Sequence, residues 1–176
     1  MSEPFEFESV EFITIDTIGA PGDRVFHLQA GQNDSLFTVT IEKEQASALA
    51  EGIGSILNDI KEQFNLTTSE PRKQSDMALR EPIIPQFRVG QIGLGYDNDS
   101  DRLVLMLSEL QAEEMIEEQR IVRLKLSRQQ MLVLANHIRG VVAGGRPICG
   151  NCGRPMDPDG HFCPKSNGHK KEPVSE

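Results

Sequence analysis

The chain has no tryptophan, a single tyrosine, only three cysteines and no long apolar run in its 176 residues. No stretch approaches the roughly 18 apolar residues that a membrane-spanning helix needs, which excludes a helical membrane protein. The opening MSEPFEFESVEF is acidic and lacks the basic-then-apolar build of a secretory signal. An odd number of cysteines, two of them three positions apart, is a poor disulfide framework; thiols in a reducing cytoplasm fit better. Positive charge is also scarce: 18 Lys and Arg face 27 Asp and Glu, a net charge of −9. Such a body repels phosphate backbones and argues against a broad nucleic-acid groove. The basic residues that do cluster lie between Arg139 and Lys171, where six face only Asp157 and Asp159.

What is present reads as one motif written twice. Ile15-Asp16-Thr17-Ile18-Gly19, then Asp23-Arg24, then alternating RVFHLQA, LFTVTI and a helical EKEQASALAEGIGSILNDI make the first copy. Val89-Gly90-Gln91-Ile92-Gly93, Asp101-Arg102, RLVLMLSEL, RIVRLKL and SRQQMLVLANHIRGVV make the second. Phe26, Leu28 and Ala30 alternate with Val25, His27 and Gln29, the period of a half-buried strand that leaves His27 on the polar side. Leu49, Ile53, Ile56 and Ile60, and likewise Met131, Leu134 and Ile138, recur at helical spacing. Ser127 with Gln130 is a capping box. Ala20 to Asp23 and Asp97 to Ser100 are turns. Gly90, Gly93 and Gly95 are followed by no helix, so they mark bulges or turns in a strand and not a phosphate loop.

The expected fold is therefore α+β, with duplicated βββα units building an antiparallel sheet core with two helices. A pseudo-two-fold relates the units, because neither can bury its apolar faces alone. The expected organisation is a first repeat over 1–66, a polar linker over 67–86 looping across the surface, a second repeat over 87–145, a metal-binding tail over 146–171 and a disordered end over 172–176.

All three cysteines and two of the four histidines fall in that tail. Cys149 and Cys152 form a Cys-x2-Cys knuckle whose Gly150 and Gly153 tolerate the required backbone angles. Cys163 supplies a third thiolate after the Pro158-Asp159-Gly160 turn. His161, two residues from Cys163, and His169, reached through Asn167-Gly168, are both candidates for the fourth ligand, and local geometry leaves the choice open. Four protein ligands close the coordination sphere, so the expected metal is a structural zinc. Gly153-Arg154-Pro155 prevents the helix that a redox Cys-x2-Cys would open.

The series Gly19-x-Pro21-Gly22-x-Arg24-x-Phe26-x-Leu28-Gln29, with the tail Asp157-Pro158-x-Gly160-His161-x-Cys163-Pro164, resembles a repeat-protein family of unknown function from Actinobacteria and their relatives. Phe5-Glu6-Phe7-Glu8 is similar to that family's acidic and aromatic opening. The resemblance implies His161 as the inherited ligand, since the family tail keeps Gly-His-x-Cys-Pro and ends Asn-Gly-aromatic where His169 stands here. It also implies a genomic neighbourhood with a histidine-phosphatase-like protein and a protein resembling phosphatidylinositol kinases.

Two functions follow as expectations. One is a non-enzymatic cytoplasmic interaction or adaptor protein with a protein partner, its tail held by zinc. The other is an enzyme or ligand-binding protein acting on a phosphorylated small molecule between the repeats. Arg24 and Arg102, at turn positions matched in the two copies, would be its ligand-binding residues.

Overall fold

The computed structural model describes residues 5–20, 22–72, 76–114 and 117–144, and the backbone of 161–162 and 170–171. Cys149, Cys152, Cys163 and His169 lie outside these residues, as does the side chain of His161. Among the described residues no helix is long and apolar enough to cross a membrane.

A three-residue strand β1 (Phe5–Phe7) leads into a meander of β2 (Phe12–Ile18), β3 (Val25–Gln32) and β4 (Ser35–Ile41), followed by the helix α1 (Lys43–Phe64). A second meander of β5 (Pro85–Asp97), β6 (Arg102–Glu109) and β7 (Ile121–Leu126) leads into the helix α2 (Arg128–Ala143). The first hairpin turns at Gly19, whose φ of +112° suits glycine and where a Cβ would stand 2.7 Å from the Asp23 carbonyl oxygen. The second turns through Asp97, which accepts bonds from the Asp99 amide and the Ser100 hydroxyl. The hairpins close on the pairs Ile18 with Val25 and Asp97 with Arg102. Arg102 therefore stands where Val25 stands in the first meander, one position away from the match with Arg24 that the sequence suggested. Ile92, likewise, lies in mid-strand against Leu107, whereas Ile18 ends its strand.

All seven strands join in the order β1-β7-β6-β5-β4-β3-β2. The sheet is mixed and not antiparallel as expected, because β4 runs parallel to β5 and β1 parallel to β7. β1 and β2 stand at opposite edges, yet only four residues separate them. Laid flat, seven strands would put the edges about 29 Å apart, whereas four residues span at most about 17 Å. The sheet must curl until its edges nearly meet. The connecting residues carry the closure: the Val10 amide donates to Lys125 of β7, and the Glu11 amide to Gly31 of β3.

The concave face holds Ile13, Ile15, Leu28, Val39, Leu105, Leu107 and Leu124, all buried. Each helix lies along the first strand of the other meander. In α1 the Gln45 amide donates to the Val89 carbonyl, and Phe64 packs on Tyr96 at 5.7 Å. In α2 the Gln130 amide donates to the Val10 carbonyl, and the Val141 carbonyl accepts from Arg24. Both glutamines also bond back to the amide three residues before them, at Glu42 and at Ser127. The stripes Leu49, Ile53, Ile60 and Met131, Leu134, Ile138 are buried in one common core.

The segment between α1 and β5 does not loop away from the body. It covers the convex face of β2–β4: Thr14 donates to the Met77 carbonyl, and Gln29 exchanges bonds with both backbone groups of Arg80. This cover accounts for the burial of Gln29 on the outer face of β3, where His27 is buried as well. The Arg80 guanidinium lies 3.7 Å above the Phe12 ring, so a polar-looking linker covers apolar surface. Gly90 sits at a register shift in β5, the bulge its position suggested; a Cβ there would meet the Leu110 backbone at 2.9 Å.

Candidate functional site

β1, β4, β5 and β7 all run in one direction, since β4 and β5 are parallel, β1 and β7 are parallel, and β6 alternates between β5 and β7. Their first residues thus share one end of the curled sheet. Phe7, Phe37 and Phe87 are each the third residue of their strands. Their rings form a continuous series with Phe5: 5.3 Å from Phe5 to Phe7, 5.9 Å from Phe7 to Phe37 and 5.9 Å from Phe37 to Phe87, every pair edge-on or tilted. They line an open cavity of about 550 Å³, within the size range of small-molecule sites. Phe5 is 63% exposed while the other three are buried.

Ser35, Gln86 and Arg120 give this mouth its polar rim. The Arg120 guanidinium sits 5.2 Å from the Phe87 ring centre. Glu109 fixes it there, with Nη2 to Oε1 at 2.7 Å and Nε to Oε2 at 3.0 Å. The Arg120 bonds hold the Glu109 carboxyl below its ordinary value, and Glu109 raises Arg120 in return. Among the described residues, Arg120 and Glu109 thus cancel at the rim.

The other ion pairs brace strands and helices. Glu6 pairs with Arg123 and Glu8 with Lys125, tying β1 to β7. Asp101 takes both Nε and Nη2 of Arg128 and accepts from the Tyr96 hydroxyl, fastening the β5–β6 turn to α2. Arg88 pairs with Glu42 at the start of α1. A second cavity of about 410 Å³ between the linker and α2 is lined by Glu70, Arg72, Asn136 and His137.

Arg24 and Arg102 are not brought together in either cavity. Arg24 donates to the Val141 carbonyl at 3.0 Å and lies over the Phe26 ring, while Arg102 opens β6 at the exposed hairpin end. Of the zinc candidates, His161 contributes only its backbone to the description, in a two-residue strand β8 (His161–Phe162) paired with β9 (Lys170–Lys171). Sequence reasoning missed the phenylalanine mouth. The available signal was an aromatic near the start of three separate strands, which gains meaning only once those strands are known to run the same way.

No curated protein and no solved structure matches the chain. A family model does, over residues 5–163, the span that builds the curled sheet, both helices and the phenylalanine mouth. The chain belongs to that family, described as "Protein of unknown function (DUF3090)".

Proposed function

We propose that this chain is a non-enzymatic binding protein, an interaction or adaptor scaffold whose recognition surface is the phenylalanine mouth. One observation carries this reading: the mouth is an open apolar cavity whose only charged rim group among the described residues is neutralised by its own partner. Among the described residues, ionisable groups with displaced titration belong to ion pairs and hydrogen bonds that hold strands, turns and helices together, such as Asp101 with Arg128 and Glu8 with Lys125. Displaced titration aimed into a cavity is a common mark of catalytic groups, and these shifts have another origin. The competing reading, chemistry on a phosphorylated molecule through Arg24 and Arg102, would require Arg24 to leave the Val141 carbonyl. A comparative pull-down from native cytoplasm tests the choice, with wild type and Phe5→Arg as baits. Partners held by wild type and lost with Phe5→Arg support the scaffold; turnover of a phosphorylated substrate that Arg24→Gln abolishes would overturn it.

The scaffold is read as a duplication. Buried Phe37, Val39, Ile41, Ala46, Leu49, Ala50 and Ile53 recur 85 residues later as Val122, Leu124, Leu126, Met131, Leu134, Ala135 and Ile138, all buried. A half-turn about the axis of the curled sheet would carry β2–β3–β4 onto β5–β6–β7 with strand directions kept. The reciprocal bonds of Gln45 to Val89 and Gln130 to Val10 fit the same operation. We further propose a structural zinc in the tail, held by Cys149, Cys152, Cys163 and His161, with His169 as the alternative fourth ligand. Its support is the ligand spacing in the sequence and the reducing cytoplasm that spacing suggests.

A further inference from the structure

We propose that the mouth binds a flat, uncharged aromatic small molecule, seated against the exposed Phe5 ring and beneath the Arg120 guanidinium. The inference deepens the binding-protein reading and takes its site from it. Three features of the mouth select this chemistry. The rings of Phe5, Phe7, Phe37 and Phe87 meet at 5.3–5.9 Å in edge and tilted contacts, and the exposed Phe5 at the end of this series is where another ring can join it. An alkyl chain would bury similar area but gain no ring geometry. The guanidinium already covers Phe87, and its plane can stack on a second aromatic face.

Charge selects next. A ligand anion approaching Arg120 would meet the Glu109 carboxylate bonded to it, and a cation would meet the guanidinium. An uncharged ring loses least on leaving water. Ser35 and Gln86 supply the few neutral polar groups that such a site uses for orientation. Finally, Phe5 stands at the edge of the cavity with most of its surface in water, so a ligand has an aromatic side chain left to cover.

N-phenyl-1-naphthylamine is a suitable neutral probe, and a protein with no tryptophan and one tyrosine adds little background to its emission. Titrated into the full chain, it should bind saturably at one site. The anionic relative 1-anilinonaphthalene-8-sulfonate should bind at least about tenfold more weakly, and dodecanol should compete poorly. Losing one aromatic contact corresponds to a weakening of roughly twofold to tenfold. Phe5→Ala, whose side chain is largely exposed, and Phe87→Leu should each weaken the probe by that factor, with unchanged circular dichroism. Non-saturable uptake, equal affinity for the sulfonate or the alcohol, or indifference to both substitutions would overturn the proposal. So would probe binding that appears only after residues 1–4 are removed, since the chain's own terminus would then be the occupant. The two readings fail separately. If Phe5→Ala loses the probe but Phe5→Arg keeps its partners, the scaffold reading falls and the aromatic site stands. If partners depend on the mouth but the probe does not bind, the aromatic site falls and the scaffold stands.

Discussion

Tyr96 is the only tyrosine, so its titration can be followed by absorbance without interference. The hydrogen bond from its hydroxyl to Asp101, with some burial, raises the phenol above its ordinary 10.0. Asp101 is itself held below 3.8, first by the Arg128 bonds. The signs are opposite in consequence. The tyrosine's contribution to stability is complete below pH 10 and disappears as pH rises through the raised value. That of Asp101 is present above 3.8 and is lost as pH falls through the depressed value, and Glu109 behaves likewise from 4.5 downward. Asp101→Asn should therefore return the phenol midpoint towards 10.0. It should also flatten part of the loss in urea resistance between pH 6 and pH 3. An unchanged phenol titration would mean that the pair does not form in solution. At the tail, the proposed zinc site requires about one zinc per wild-type chain by elemental analysis, lost to a weak chelator in His161→Ala and retained in His169→Ala. The reverse outcome makes His169 the ligand.

The two helices were legible because their apolar stripes carry a clear period, and the buried positions are the ones that the spacing of Leu49, Ile53, Met131 and Leu134 indicated. Ser127 and Gln130 were legible as a cap for α2, whereas Glu42 opening α1 was not, because the expected hydroxyl is missing there. What stayed hidden was association between elements. Period-2 alternation fixes which residues share a face but not which strand lies beside which, so the parallel junction of β4 with β5 left no local trace. The polar face of β3 looked solvated for the same reason: the linker that covers Gln29 lies 51 residues away. In the mouth, Phe37 and Phe87 are 50 positions apart and read separately as ordinary strand residues. Gln45→Ala and Gln130→Ala should each cost about 1–2 kcal/mol, since each removes a cap bond and a bond to the opposite meander. Ile53→Ala should cost about 2–5 kcal/mol. Chemical denaturation measures all three, and a Gln45→Ala chain as stable as wild type would show that the reciprocal bond is idle.

For the molecule as a whole, closure depends on a short N-terminal stretch. β1 covers the outer edge of β7, held by Glu6 to Arg123 and Glu8 to Lys125, and residues 10–11 complete the ring. Removing residues 1–9 should leave the β7 edge unpaired, a template for another chain. The shortened protein should melt earlier and associate with rising concentration on size-exclusion chromatography. A monomer that melts unchanged would show that the ring closes without β1.

The exchange of helices between the meanders also sets a schedule. While the protein is being made, α1 emerges before β5, the strand it lies on, exists. α2 then reaches back to Val10 across a separation of 120 residues. Little of the lasting structure can be secured on the ribosome until nearly the whole sheet has been translated, and the first meander waits with its apolar face uncovered. Long-range closure of this kind slows the search for the native state. The chain should accordingly fold late, as one unit, and be most exposed to association with its neighbours in the interval before the second meander is released.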